Sequence, residues 1–431
     1  MPEKVIAVGL ILPAVSRSVV DEHLDEVEKL IETAGGSVVE RVLAKRVSPD
    51  SATWIGKGKA EHVKALVERH KAALVVFDDD LSPAQTRNLE RVIEARVIDR
   101  SGLILDIFAR RARSREARTQ VELAQLEYML PRLTRQWSHL SRQAGGIGTR
   151  GVGETQLEID RRIVRNRISR LKDDLGRIEQ SRKTQRKSRA ATFTVALVGY
   201  TNAGKSTLFN QLAGGGAVAV DKLFATLDAK SQRAAFPTPR PTVIIDTVGF
   251  IRKLPHHLVA SFRSTMEEAV SADLVLHVID ISHPQYEEQR AIGEEVLLDL
   301  GVPKDRLIDV YNKVDRVDGS RSLEVSQPRS GDLATARRRD GVTTISALNG
   351  RGIDRLVATI RDRELRGGEM MELEIPHAQS RLLARLHQVA EIQKQRTTDN
   401  GQRITAWVPQ SSIHEFEKFS ATDLLKRVKV S

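Results

Sequence analysis

The stretch that most limits what this chain can fold into runs Gly199-Tyr200-Thr201-Asn202-Ala203-Gly204-Lys205-Ser206-Thr207. It satisfies G-x-x-x-x-G-K-[ST] at every fixed position, and it sits in the context that motif requires. The apolar run Val195 to Val198 precedes it as a strand, and Leu208, Phe209 and Leu212 follow at helical spacing. Backbone N–H groups must turn inward around a phosphate there, so bulky side chains stay off the turn and a helix N-terminus adds its partial positive charge. Lys205 is placed to reach the β- and γ-phosphates, and Ser206 to offer a hydroxyl to Mg²⁺. A strand, a phosphate loop and a helix in that order commit this part of the chain to an α/β sheet.

Three later stretches name the base. Asp246-Thr247-Val248-Gly249 follows the apolar run Val243 to Ile245, which puts a carboxylate at a strand end for the Mg²⁺ shell and a glycine amide near the γ-phosphate. Asn312-Lys313-Val314-Asp315 follows Leu307 to Val310 in the same way. The Asp315 carboxylate can accept hydrogen bonds from guanine N1–H and N2–H, a donor pair that adenine lacks, and such discrimination reaches about 10⁴. Ser346-Ala347-Leu348, after Val342 to Ile345, would close over the base. Any one tetrapeptide is weak; four in this order, each behind an apolar run, are not.

A chain of 431 residues exceeds one ordinary core. It has no cysteine, which excludes disulfides and thiolate metal sites and fits a cytoplasmic protein. The apolar run Val5 to Leu12 is too short to span a membrane and reads as a strand. The net charge is +11, yet residues 110–189 alone hold 21 Lys/Arg against 9 Asp/Glu. A field this concentrated is the footprint expected for a polyanion, most simply nucleic acid; the bland alternative is the solvated face of a helical hairpin.

Residues 1–109 alternate strand-like and helical runs: Val5 to Leu12, Val19 to Ala34, Val38 to Leu43, Ala60 to Arg69, Leu74 to Phe77 and a helix after Ser82-Pro83. They read as a small α/β domain. Gly56-Lys57-Gly58-Lys59 lacks the full cradle spacing and reads mainly as a turn before a helix. Across residues 110–190 the period changes. Leu123, Leu126, Leu130, Leu133, Trp137 and Leu140 form a coiled-coil seam, and Val164, Ile168, Leu171, Leu175 and Ile178 repeat it after a gap. An antiparallel hairpin is expected, with Pro131 bending its first helix.

At the hairpin tip, Ala144 to Glu154 is dense in glycine. Gly146, Gly148 and Gly151 satisfy G-x-G-x-x-G, but no strand precedes them and no βαβ unit encloses them, so the dinucleotide reading is rejected. A tip with little side-chain bulk and a projecting Arg150 suits a narrow cleft in RNA, which is read through shape, 2′-hydroxyls and splayed bases; a plain flexible connector is the alternative. Residues 191–365 hold the phosphate loop, with Asp318 to Asp340 expected as a polar surface insertion. Residues 366–431 give strand, helix and strand at Met371 to Ile375, Leu382 to Ile392 and Ile404 to Val408, a small C-terminal α/β domain.

The four strand-end motifs resemble the G1 to G5 motifs of translation-factor-related GTPases, and further matches narrow the resemblance to the HflX family over essentially the whole chain. Phe224-Ala225-Thr226-Leu227-Asp228 looks like that family's switch I. Asp246 to Ile251, followed by Leu254-Pro255-His256 and Phe262 to Thr265, looks like its switch II. Gly151-Val152-Gly153-Glu154-Thr155-Gln156-Leu157-Glu158 is the most family-specific match, although Val152 stands where the family usually has proline.

The resemblance implies a P-loop GTPase domain with an N-terminal α/β domain, a long antiparallel helical hairpin and a small C-terminal α/β domain. It implies Thr226 as a Mg²⁺ ligand that senses the γ-phosphate, with Ser206 and Asp246 completing the metal set. It also implies binding of a monomer to the large ribosomal subunit and its RNA through Arg150, Gly151, Gly153, Glu154 and Gln156, with separation of ribosomal subunits under stress as the output. Asn202 matches the asparagine with which potassium-stimulated GTPases hold K⁺; a loop-stabilising amide is the other reading. Phe250 stands where many GTPases place a water-orienting glutamine, so slow intrinsic turnover is expected. Two other readings stay open: an assembly factor gated by GTP, and an ATP-driven RNA remodeller using the N-terminal domain.

Overall fold

The computed structural model describes residues 2–133, 156–187, 192–215, 223–224, 226, 228–238, 241–252, 266, 268–317 and 343–420. The chain divides into two compact units. One comprises Met1–Arg182, Asp221–Asp228 and Ile251–Ser264, and the other Lys183–Val220, Ala229–Phe250 and Thr265–Ser431.

The first unit is built on β1 (Glu3–Ile11), β2 (Gly36–Lys45), β3 (Leu74–Phe77) and β4 (Arg96–Asp99), all parallel, in the order β2-β1-β3-β4. Helices α1 (Arg17–Ala34), α2 (Lys57–His70) and α3 (Pro83–Ile93) make the crossovers, and α4 (Arg100–Arg111) follows β4. α1 packs with α4 and α2 with α3. A parallel sheet covered by helices has no wet face, so its strands are apolar runs rather than alternations; all four residues of β3 are buried.

Helix starts are written in the sequence. Ser16 Oγ accepts from the Val19 N–H, and Ser82 and Gln85 form a reciprocal capping box ahead of Pro83. Gly56-Lys57-Gly58-Lys59 opens α2, with Gly56 as its cap. The sequence reading did not pick out β4 or α4. α4 opens on the buried Arg100, Ser101 and Gly102 and shows no one-sided stripe. Arg100 is fully enclosed but paired, 2.6 Å from Asp78 Oδ1 and 3.0 Å from Glu26 Oε1.

α5 (Arg115–Met129) passes into a 3₁₀ turn at Leu130–Arg132, where Pro131 interrupts the α-helix. α6 (Gln156–Lys187) is 32 residues long. It meets α5 through Arg167 on Glu122 (2.7 Å) and Lys172 on Glu127 (2.9 Å), while the Arg161 guanidinium donates to the Leu133 carbonyl at 3.0 Å. The seam residues Leu123 and Leu171 are buried, and Leu126, Leu130, Val164, Ile168, Leu175 and Ile178 are partly so. Trp137, Leu140 and the glycine-dense tip lie outside the described residues.

The second unit carries a six-stranded sheet of β5 (Phe193–Gly199), β6 (Lys230–Arg233), β7 (Thr242–Asp246), β8 (Leu274–Asp280), β9 (Leu307–Asn312) and β10 (Thr343–Thr344). The order is β10-β9-β8-β5-β7-β6, parallel except for β6. Its helices include α7 (Lys205–Ala213), α8 (Tyr286–Asp299) and α9 (Ile353–Leu365). Val195, Leu197, Leu208, Leu212, Leu276, Val310, Ile345 and Leu356 share one core. Downstream, β11 (Gly368–Pro376), β12 (Glu391–Thr398) and β13 (Gly401–Pro409) form an antiparallel sheet in the order β11-β13-β12, with α10 (Ser380–Val389) sharing its core. The helix expected to reach Ile392 ends at Val389, because Glu391 already begins β12. The expected insertion Asp318 to Asp340 lies outside the described residues.

Candidate nucleotide site

The strand-end motifs converge at the carboxyl edge of the six-stranded sheet. β5 ends at Gly199, β7 at Asp246, β8 at Asp280 and β9 at Asn312. That edge is where open α/β sheets bind ligands.

The loop after β5 is braced from two sides. The Phe250 N–H donates to the Gly199 carbonyl at 2.9 Å and the Thr201 N–H to the Phe250 carbonyl at 2.6 Å, so the segment after Asp246 runs beside the loop as a short parallel bridge. Thr247 Oγ1 donates to the Leu197 carbonyl at 2.7 Å and locks the same pair of strands. From the other side, Asn312 Nδ2 donates to the Ala203 carbonyl at 2.9 Å, while its Oδ1 accepts from the Ala347 N–H at 2.9 Å. One buried amide thus ties the phosphate loop to Ser346-Ala347-Leu348. Gly204 has φ +95° and lies so close to Asn312 that a Cβ would fall 2.2 Å from Nδ2. No other residue fits there.

Lys205 opens α7 and is buried; its ammonium donates to the carbonyls of Gly199 at 3.0 Å and Tyr200 at 2.8 Å. Burial lowers its pKa to about 8, against an opposing pull from Asp246 and with a smaller push the same way from Lys313. Ser206 Oγ donates to Asp246 Oδ2 at 2.8 Å. A hydroxyl and a buried carboxylate side by side are hard oxygen donors of the kind Mg²⁺ takes when phosphates and water complete its shell, so the residues fit that ion. Among the described residues no group of three or more His, Asp or Glu could hold a metal by itself.

At the base end, Lys313 has φ +65° and its ammonium pairs with Asp280 at 2.7 Å. Asp280 was not singled out from the sequence, although the same signal that found Asp246, a carboxylate closing an apolar run, marks it in Leu274 to Asp280. The Val314 N–H donates to the Ile345 carbonyl at 3.3 Å, which sets the following turn. Asp315 is exposed on that turn, Ser346 and Ala347 are buried, and Leu348 is 72% exposed. Asn202 is exposed with φ +63° at the outer bend of the phosphate loop, beside Thr201 and Ala203. Val248 and Phe250 are buried.

Phe224, Thr226 and Asp228 belong to the first compact unit, not to the one that carries the phosphate loop. Phe224 packs edge-on against Phe108 of α4, and the Asp228 carboxylate accepts from the backbone N–H of Arg113 at 3.0 Å. Ala225, Leu227, Arg150, Gly151, Gly153 and Glu154 lie outside the described residues; Gln156 is the first residue of α6.

A parallel sheet whose strand ends bring G-x-x-x-x-G-K-S, D-x-x-G and N-K-x-D together defines a P-loop GTPase. Comparison with known proteins agrees and narrows the class. Residues 194–313 match the model described as 50S ribosome-binding GTPase, residues 21–109 the GTP-binding GTPase N-terminal model, and residues 111–189 the GTP-binding GTPase middle region. GTPase HflX of Caldanaerobacter subterraneus subsp. tengcongensis is 46% identical over 374 residues, 86% of this chain and 84% of that one. GTPase HflX of Escherichia coli strain K12 is 44% identical over 384 residues, 88% of each. Among solved structures, a GTP-binding protein from Sulfolobus solfataricus in complex with GDP aligns with 84% of this chain and 99% of its own at 24% identity and a TM-score of 0.45. The chain belongs to the HflX family of GTPases.

Proposed function

We propose that this chain is a Mg²⁺-dependent GTP hydrolase that binds the large ribosomal subunit through its basic helical arm and couples its nucleotide state to ribosome dissociation or rescue under stress. The observation that carries the nucleotide half is the convergence of Lys205, the Ser206–Asp246 pair and the Asn312 bridge at one sheet edge. Lys205 and the loop amides neutralise β- and γ-phosphate charge, and Asp315 selects guanine. Ser206 and Asp246, with Thr226, would hold Mg²⁺, which would supply positive charge against the negative charge that develops on the phosphates. The Gly249 amide faces the γ-phosphate. Phe250 is buried and supplies no hydrogen bond from its side chain to an attacking water. Turnover by the protein alone is therefore slow, with the missing group supplied by the partner or by K⁺ held at Asn202.

The ribosomal half is supported by the description of the 194–313 match and by the charge of the arm. α6 turns Val164, Ile168, Leu171, Leu175 and Ile178 towards burial and leaves Arg162, Arg165, Arg170, Lys172 and Arg177 exposed. At about 1.5 Å per residue such a helix is a slim rod tens of ångströms long, and Arg150, Gly151, Gly153, Glu154 and Gln156 are the proposed contacts to RNA. The arm and the C-terminal domain, as a helical hairpin over 110–190 and a small α/β appendage over 366–431, are part of this proposal. A monomer working in the cytoplasm suits it; among the described residues no helix is long and apolar enough to cross a membrane.

Pelleting purified large subunits with the protein, without nucleotide, with GDP and with a non-hydrolysable GTP analogue tests the coupling. Co-sedimentation dependent on the analogue is expected, and equal binding in all three states would overturn it. In sucrose gradients, intact ribosomes that stay intact under every condition would remove the splitting role.

A further inference from the structure

Leu223, Phe224 and Asp228 are seated on the corner where α4 gives way to α5, within one compact unit. Two sets of contacts hold them, one on each side of Thr226. On the N-terminal side, Arg111 Nη1 donates to the carbonyls of Leu223, at 2.8 Å, and of Phe224. The Phe224 ring meets Phe108 edge-on with centroids 4.6 Å apart. Phe224 is buried at φ +55°, a left-handed backbone that a bulky residue keeps only where its surroundings enforce it.

On the C-terminal side, the Asp228 carboxylate accepts from the N–H of Arg113 at 3.0 Å, from the N–H of Ser114 at 3.2 Å, and from the Ser114 hydroxyl. Ser114 is also the cap of α5, its Oγ accepting from the Ala117 N–H at 3.0 Å. One serine therefore serves both the start of the arm's first helix and the end of switch I. Burial holds the Arg111 guanidinium below its ordinary pKa.

We propose that the Arg111–Ser114 corner is a built seat for switch I, and that Arg111 and Ser114 are positioning residues for GTP hydrolysis that act through Thr226. The proposal rests on Thr226 being the γ-phosphate sensor. Ordering a loop around a phosphate costs backbone entropy, and the seat holds both flanks of Thr226 through contacts of the chain itself, so less remains to be ordered when GTP binds. GDP, with no γ-phosphate, does not draw on the seat. Because Ser114 begins α5, any shift of Asp228 is also felt in the first turn of the arm, and by reciprocity a load on the arm is felt at Thr226.

The test uses the full chain and four variants. Arg111→Met keeps the packed stem and removes the donors, Ser114→Ala removes the hydroxyl, Ser114→Thr keeps it, and Thr226→Ala removes the sensor. Single-turnover GTP hydrolysis is measured beside the affinities of fluorescent GDP and of a fluorescent non-hydrolysable GTP analogue with Mg²⁺. R111M and S114A are expected to hydrolyse about tenfold more slowly and to lose analogue affinity, with GDP affinity within about twofold of the parent and S114T close to it. Unchanged or faster hydrolysis in R111M and S114A overturns the proposal, as does equal loss of both affinities, which would mean general damage. T226A separates the two ways of failing. If T226A matches the parent, Thr226 is no sensor and the proposal falls with that reading; if T226A is slow and the corner variants are not, the seat alone falls.

Discussion

Lys205 is a buried cation whose partners in its own fold are two backbone carbonyls, at 3.0 and 2.8 Å, and its pKa is lowered from 10.5 to about 8 by burial. Phosphate oxygens facing the ammonium favour its charged form and raise that value again. The proton is thus held more tightly with nucleotide than before it, so binding takes up a proton and affinity falls as pH rises through about 8. Calorimetry at pH 8.5 in buffers of different ionisation enthalpy is expected to show that uptake, and Lys205→Ala to abolish it with most of the affinity. At the other end of the site, Asp315→Ala is expected to erase guanine preference by about 10⁴, read as the ratio of GTP to ATP affinity. Gly249 lies so close to its neighbours that a Cβ would come 2.7 Å from Thr201 Cα and 2.8 Å from Lys205 Nζ. Gly249→Ala must displace one of them, and slower hydrolysis with a milder loss of GDP binding is expected in a turnover assay.

At the scale of elements, what was legible in the sequence was whatever carried a period or a cap. The strand over Leu74 to Phe77 was placed to the residue, and Ser82-Pro83 opened α3 as written. β6 could not be read. Lys230-Ser231-Gln232-Arg233 is polar and exposed throughout, and backbone pairing to β7 alone makes it a strand. β12 was hidden likewise, because Gln393 to Thr397 has no buried position. Within the site the loop, Asp246 and Asn312 were legible as motifs. The Asn312 bridge and the Phe250–Gly199 pairing were not, since they join residues about 110 and 50 positions apart. The α5–α6 pairing gives a further prediction. Leu171 is 3% exposed on an otherwise well-solvated helix, so Leu171→Ala is expected to cost about 2–5 kcal/mol and to appear as early loss of helicity on heating.

For the whole molecule, the proposal demands that a small chemical difference, one phosphate, be felt at the far end of an arm. A ligand shifts a conformational equilibrium only by its differential contacts with the two states. Thr226 and Gly249 are the proposed origins of such differences, and Asp228 on Ser114 is the proposed entry to α5. Turnover compared in K⁺ and Na⁺ at equal ionic strength is expected to favour K⁺; equal rates would return Asn202 to a plain loop-stabilising amide. Saturating GTP should raise the melting temperature of the nucleotide-binding unit in step with ligand concentration.

The amide of Asn312 holds one hand on the strand-to-helix turn proposed to grip phosphate and the other on the segment proposed to cover the purine. A nucleotide that sits poorly at its ring end must therefore loosen its own tail. Discrimination between bases should show itself less in how fast nucleotides arrive than in how soon the wrong ones let go.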